Sequence, residues 1–391
     1  MATATLALQS VAEQVILDRR HLHMHPELRF EEHKTAAFVA ERLRMLGLQV
    51  QTGIGGTGVI GLLQGGRPGK TVMLRADMDA LPIIEETDVP FKSTVPGVMH
   101  ACGHDGHTAI LLGVARILAE RRDRLTGNVK FVFQPAEEGS GGALGMIDGG
   151  VLENPKVDAV FGLHLVQFEP VGRVSARPGP IHASTTRIEI DIRGKGGHAA
   201  LPHLAIDTVL IAAQVTVALH AIVSREVKPT EPAVITIGSS HAGTAANIIA
   251  ETAQLRGTIR AYDSELASFL GQRVKDVATG IASSMRAVAD ARVIFGAPPV
   301  VNDPAMADLA AAVAREVVGP DRAIPSAPNM AGDDMAEYLR RVPGCYLWVG
   351  TRNEAKGIIG DHHQPTFDID EDALPIGIDV LSGIAERYLN S

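Results

Sequence analysis

Residues 71–82 read Thr-Val-Met-Leu-Arg-Ala-Asp-Met-Asp-Ala-Leu-Pro, an apolar run that breaks into two acids, Asp77 and Asp79, and then a proline. A short continuous apolar run of this kind is a buried strand, and acids directly after it belong to the loop at the strand's carboxyl end. The pattern recurs. Asn128–Gln134 (NVKFVFQ) runs into Pro-Ala-Glu137-Glu138-Gly, and Ala159–Leu165 (AVFGLHL) carries His164 near its end. Between the first two strands, Thr108–Ala119 has the apolar content of a buried helix, entered through His100-Ala-Cys102-Gly-His104-Asp105-Gly-His107. Strands alternating with helices predict an α/β domain, a mostly parallel sheet flanked by helices, with its chemistry in loops at the strand ends.

Working outward, helical apolar spacing covers residues 6–20 and Thr35–Leu46, the second stopped by Gly47, and the strands LQVQT and VIGLLQ follow. Toward the C-terminus, DLAAAVAREVV and EDALPIGIDVLSGIAERYL read as helices on either side of a buried strand, GCYLWVG. Residues 184–295 break this alternation. They read as strand, long helix, two strands, second helix and strand, the βαββαβ order of a ferredoxin-like sandwich, between the Pro/Gly-rich segments RPGPIHAS and GAPPVVNDP. The expected organisation is a discontinuous catalytic domain, 1–183 and 296–391, interrupted by an inserted domain at 184–295.

Composition sets the outer limits. The chain has 391 residues, 46% apolar and 21% charged, enough for two packed domains and inconsistent with general disorder. Lys plus Arg is 36 against 45 for Asp plus Glu, net −9, with no basic run, which argues against a nucleic-acid partner. The N-terminus lacks the basic start, apolar block and cleavage site of a secretory signal. No window approaches the roughly 18 uninterrupted apolar residues of a span, so the expectation is a cytoplasmic protein without a membrane partner. Two cysteines make no disulfide framework. Cys345, inside GCYLWVG, reads as a small core residue, whereas Cys102 lies among small and polar residues.

Four clusters therefore carry chemistry: Arg75-Ala-Asp77-Met-Asp79, the His100–His107 loop, Glu137-Glu138, and the distant Asp361-His362-His363-Gln364-Pro365, with His164 as a fifth element. Thiolate, imidazole and carboxylate together form the donor set of zinc and similar divalent ions. Gly103 permits the bend that lets Cys102 and His104 reach one ion. Of two adjacent glutamates, one can ligate while its neighbour serves as a base, the division of labour that metal-assisted hydrolysis needs. His21, His23, His25 and His33 read instead as surface or interdomain histidines. The run Gly53-Ile-Gly55-Gly-Thr-Gly58 fits a dinucleotide fingerprint, but VIGLLQGGRPG follows it and opens no helix to receive a pyrophosphate, so the glycines read as a strand-to-strand turn.

In this order, HPE (His25–Glu27), RADMDALP, HACGHDGHTA, QPAEEG, GKGGHAALPH and HHQPTFDIDE resemble the cocatalytic-metal aminoacylase and carboxypeptidase family, over essentially the whole chain. The closest likeness is to its cysteine-ligand branch of hippurate hydrolases, N-acyl-amino-acid amidohydrolases and auxin-conjugate hydrolases. The resemblance implies two divalent ions (Zn, Mn, Co or Ni) held by Cys102, His104, Glu138, His164 and His363, the last selected over His362 by its place two residues before the proline. It makes Glu137 the general base and His198 an oxyanion donor reaching a neighbouring active site. It also places Asn247, Arg260 and Gly332 around a small N-acyl amino acid substrate, and it makes the inserted domain a lid and the contact of a homodimer or higher homo-oligomer. The stretch Ala331-Gly332-Asp333-Asp334-Met335 departs from the Gly-Ser-Glu-Asp-Phe-like pattern usual near the substrate, and Gln364 stands where serine or histidine is common. Two rival readings are a nicotinamide-dependent oxidoreductase and a metal-holding protein without turnover, for which Glu137 beside a ligand would have no use.

Overall fold

A computed structural model describes residues 2–139 and 141–391 and divides into two compact units. The first comprises Met1–Gly179, Val301–Ala327 and Asp334–Ser391. Its sheet has seven strands, in the spatial order Gln49–Ile54, Gly58–Gln64, Thr126–Gln134, Arg67–Asp77, Ala159–Pro170, Gly344–Arg352 and Val174–Ser175. The four strands from Thr126–Gln134 to Gly344–Arg352 are parallel to one another, while the remaining pairings at both edges are antiparallel. The sheet is thus mixed rather than mostly parallel. Connection length explains the difference: Ile54 pairs with Gly58 across a tight turn, and so short a link joins antiparallel strands only. Gly55 (φ 63°) and Gly56 (φ 111°) make that turn, in the left-handed region that glycine adopts without penalty.

Helices His104–Glu120 and Ala373–Leu389 are buried along almost their whole length, packed in one core with Leu74, Phe131, Phe133, Phe161 and Val349. Each such side chain contributes roughly 1.5–3 kcal/mol of burial free energy, which holds the central strands and their carboxyl-end loops in place. Cys345 is fully buried here.

The first helix runs longer than the spacing suggested, Ala2–Met24, and its last turns go inward. His23 is no surface residue. Only 1% exposed, it places Nδ1 2.8 Å from Asp105 Oδ2 and Nε2 3.3 Å from Glu85 Oε1. Arg19 Nε donates to the same Asp105 oxygen at 2.9 Å, and its other nitrogens reach Asp368 and Glu371. Sequence spacing could not expose this, because the partners lie about 60 to 350 residues away. Burial disfavours charge on Glu85, but His23, Thr87 and the Ser93 amide outweigh it and hold the carboxyl below its usual range. A depressed carboxyl stabilises the fold above its unfolded pKa, and that contribution is lost as pH falls through the folded value. Glu85→Gln is accordingly expected to lower the melting temperature by a few degrees at pH 7, and the gap from wild type should close on acidification toward pH ~3. Thermal melts of both proteins from pH 7 to 3 check this; a gap that widens in acid would contradict it.

The second unit is Pro180–Val300 together with Pro328–Asp333. Its antiparallel sheet has the order Ala233–Ala242, Thr252–Ala261, Thr186–Arg193 and Val288–Phe295, with helices Thr208–Glu226 and Ser264–Ser284 packed on it. Asp207 and Asp263 cap the helices by accepting backbone N–H bonds in the first turn. The element order is the expected βαββαβ, but the unit reaches beyond 184–295. The Ala183 amide donates to the Ala331 carbonyl at 2.8 Å and the Asn329 amide to that of Ile181 at 3.1 Å, which draws residues 328–333, Gly332 included, into this unit. Helix Thr208–Glu226 is also long and apolar enough to cross a membrane by length and mean composition, although polar residues interrupt it. Its Ile211, Val215, Leu219 and Ile222 recur every three or four residues and are buried in the unit's own core.

Candidate metal centre

The Cys102 loop is decided by one glycine. Gly103 adopts φ 90° at the helix N-cap, so the helix starts at His104, four residues ahead of the expected Thr108, and the turn leaves Cys102 and His104 together. His104 Nδ1 donates to the Asp79 carbonyl at 2.9 Å, and its buried Nε2 has no hydrogen-bond partner among the described residues. His164 repeats the device: Nδ1 donates to the Leu165 carbonyl at 2.8 Å, and Nε2 stands 3.6 Å from Cys102 Sγ. Fixing the proton on one ring nitrogen by a carbonyl leaves the lone pair of the other for an ion.

The last motif arrives from the far end of the chain. His363 sits in the left-handed region (φ 62°), its amide donates to the Ala101 carbonyl at 2.8 Å, and Nε2 lies 2.9 Å from Glu138 Oε1. Glu138 Oε1 is buried, and this close approach lacks the alignment of a hydrogen bond. His362 turns elsewhere and donates from Nε2 to the Leu165 carbonyl at 2.9 Å.

The ligand atoms of Cys102, His104 and His164 lie within 4.8 Å of one another, as do those of Cys102, Glu138 and His363, and those of His104, Glu137 and Glu138. A tetrahedral ion with bonds of roughly 2.0–2.3 Å spaces its donors about 3.3–3.8 Å apart, so these sets suit metal binding, and Cys102 belongs to two of them. The electrostatics agree. Burial, reinforced by the charge of Glu138, pushes the Cys102 thiol well above its usual range, so a thiolate there calls for a cation. Burial also pushes His164 well down, which keeps it a neutral ligand. On His104 burial opposes charge, but Asp77 and Asp79 outweigh it and raise its pKa well above the ordinary value. A divalent ion fits this set beside the neutral His164, and its binding would displace the protons of the Cys102 thiol and of His104 Nε2, an atom without a hydrogen-bond partner among the described residues.

His107, in the same motif, is spent on structure: Nδ1 donates to Asp77 Oδ1 at 2.6 Å and Nε2 accepts the Leu165 amide at 2.9 Å. Asp334 accepts bonds from Arg75 (2.9 Å), Gln134 (2.8 Å) and the Ala143 amide (2.9 Å), so it braces the strand ends. Asp79 is the residue whose role sequence reasoning missed. Its two oxygens accept the amides of Glu137 (3.1 Å) and Glu138 (3.0 Å) and thereby hold the turn that carries both glutamates. A signal existed, since Asp77 and Gln134 are partners on adjacent parallel strands and everything just beyond them emerges side by side. That turn is tight, with the Gly139 amide donating back to the Glu137 carbonyl at 2.8 Å.

The remaining expected residues lie in the second unit. His198 pairs in register with Ile248 and, with Asn247, lines an open hollow. Its Nδ1 accepts the Ala200 amide at 3.1 Å, which leaves the proton on Nε2 of an exposed ring. Arg260 Nη1 is buried with no hydrogen-bond partner among the described residues, and burial lowers its pKa. A Cβ at Gly332 would stand 2.3 Å from Thr185 Cγ2 and 3.4 Å from Arg260 Nη1, so only glycine fits there unchanged.

Residues 73–387 match peptidase family M20/M25/M40. The chain belongs to that family. Curated relatives of this M20 chain include the N-acetyl-L-cysteine deacetylase of Bacillus subtilis, 41% identical over 98% of this chain and 90% of the relative. Another is thermostable carboxypeptidase 1 of Saccharolobus solfataricus, 39% identical over 98% and 97%. The crystal structure of the Bacillus subtilis YXEP protein, described as a dinuclear metal binding peptidase from the M20 family, aligns with TM-score 0.85 and 34% identity over 98% of this chain and 99% of that one. The mixed α/β fold is thus the M20 fold, and the chain is an M20 hydrolase with a candidate metal centre.

Proposed function

We propose that this M20 hydrolase belongs to the cysteine-ligand branch and splits the amide of an N-acyl amino acid into a carboxylic acid and a free amino acid. The observation that carries the reading is the donor cluster itself, with Glu137 and Glu138 side by side on one clamped turn. Cys102, His104, Glu138, His164 and His363 would hold two divalent ions. Sulfur and imidazole donors favour zinc, cobalt or nickel, and the carboxylate admits manganese. The bound ions would supply Lewis acidity toward the amide carbonyl and acidify water at neutral pH.

Glu137 takes the proton of the attacking water and returns it to the departing amine. Arg260 recognises the free carboxylate of the amino-acid half, because its buried Nη1 has no hydrogen-bond partner among the described residues and the planar fork of a guanidinium matches a carboxylate. Asn247 and Gly332 shape the same end of the substrate. The inserted unit serves as lid and as the contact of a homodimer, in a cytoplasmic protein, so that His198 serves a neighbouring site. There its Nε2 proton donates to the oxyanion of the tetrahedral intermediate. His198→Ala is expected to lower kcat by about 10²–10³-fold with the metal complement intact. Steady-state kinetics with metal analysis check this, and an unchanged kcat would remove His198 from the reaction.

The relatives' names, a deacetylase of an N-acetyl amino acid and a carboxypeptidase, support an amide on the amino side of a free carboxylate. The test is amine release from hippurate, N-acetyl amino acids and dipeptides after metal reconstitution, each beside its carboxyl-amidated counterpart. The expected result is turnover of acids and at least ~10²-fold less of their amides. Equal turnover of both would sink the substrate assignment.

A further inference from the structure

Outside the donor set, a second buried carboxyl besides that of Asp79 touches the turn that carries the glutamates. Glu32 occupies the N-cap of helix His33–Met45, yet it makes no side-chain cap bond there. Glu27 does that work, accepting the amides of Lys34 (3.1 Å) and Thr35 (2.9 Å). Glu32 is fully buried, and its Oε1 instead accepts the Ala136 amide at 2.9 Å, 104 residues along the chain, while Oε2 accepts the hydroxyl of Thr57.

Ala136 is itself unusual. It is fully buried and lies in the left-handed region (φ 52°), a conformation that L-residues adopt only at a cost. Strain of this kind persists only where the surroundings impose it. Here three consecutive amides are each held by a buried carboxyl: Ala136 by Glu32, and Glu137 and Glu138 by Asp79. Rotation of the 135–136 peptide out of this arrangement would strand the Glu32 carboxyl and swing the first backbone atom of Glu137.

We propose that Glu32 is a positioning residue: its bond to the Ala136 amide sets the left-handed turn that aims the Glu137 carboxylate, while Asp79 secures the two residues that follow. This rests on the reading of Glu137 as general base. Glu32 acts through the backbone of Ala136 alone and not on a reacting atom. An amide side chain reproduces both of its bonds, since the carbonyl of glutamine accepts from Ala136 and its NH₂ donates to Thr57.

The test uses metal-loaded Glu32→Leu, Glu32→Gln, Thr57→Val and Glu137→Gln enzymes with hippurate and N-acetyl-L-cysteine, following kcat, KM, the acid limb of the pH–rate profile and bound metal. Glu32→Leu is expected to lose about 30-fold or more in kcat, with KM within ~3-fold, full metal and a displaced acid limb, and Glu32→Gln to stay within ~5-fold of wild type. If Glu32→Leu fails to fold, Thr57→Val carries the test, with an expected loss of ~3–10-fold in kcat and a displaced acid limb. Wild-type kcat in the folded Leu variant, or in Thr57→Val when it stands in, overturns the proposal. So does a loss of kcat that tracks lost metal, or a Gln variant as impaired as Leu. Residual activity of Glu137→Gln distinguishes the two failures: near-wild-type turnover there overturns the base reading and this inference together, whereas an inactive Glu137→Gln beside a wild-type-like Glu32→Leu overturns this inference alone.

Discussion

Glu137→Gln is expected to keep its full metal complement and lose at least ~10³-fold in kcat. Proton transfer by a positioned side chain is worth about 10²–10⁴-fold, and an amide of the same shape can neither take the proton of water nor hand it to an amine. Binding should survive, because the ligands proposed above are Cys102, His104, Glu138, His164 and His363, and the Asp79 clamp engages only backbone amides of this turn. KM should therefore change little, the signature of an interaction used in the transition state and not in the ground state. Metal analysis and steady-state kinetics on one preparation check both halves. Substantial turnover with full metal would refute the base assignment, and loss of metal would move Glu137 into the ligand set.

Cys102→Ala should have an effect as large by another route. Cys102 stands in two of the donor sets, so its removal weakens both ion positions at once, and turnover should fall by ~10³-fold or more together with bound metal. The pH sign follows from burial. The thiol is held well above its usual pKa, so it carries a proton at neutral pH until an ion displaces it. Metal affinity should thus rise with pH, and loading should release protons, with about one fewer released in the Ala variant. Titration of metal into weakly buffered protein at fixed pH measures the difference. Equal proton release from both proteins would argue against a sulfur ligand. The same ligation predicts slower peroxide inactivation of the loaded enzyme, since a coordinated sulfur is shielded from the first oxidation step.

Much of this was legible before any fold was known, for a local reason. The Asp77 and Glu137-Glu138 groups each follow an apolar run typical of buried strands, and parallel neighbours deliver such ends to one edge; His164 lies inside the longer strand Ala159–Pro170, two residues beyond the Gly162 that pairs with Arg75. The inserted unit was legible because a βαββαβ order and Pro/Gly-rich flanks need no long-range information. The mixed edges of the sheet were in principle legible from the short glycine turn at 53–58, which admits only an antiparallel partner. His23 was misjudged because a histidine among histidines near a terminus carries no local mark of burial; its environment is made by Asp105 and Glu85.

What the chain determined by itself, then, is the kind of chemistry: residue type at a strand end is a local property, so thiol, imidazoles and paired carboxylates could be read as a donor set beside a base. What tertiary structure alone decided is which atoms are available for it. The Asp79 and Leu165 carbonyls choose the tautomers of His104 and His164, His363 Nε2 lies beside Glu138 while His362 donates to the Leu165 carbonyl, and Glu32 and Asp79 hold the glutamate turn. Each of these rests on a hydrogen bond or a close approach a few ångströms long. Most of the bonds join segments tens to hundreds of residues apart, and such matches come into being only when the chain has closed on itself.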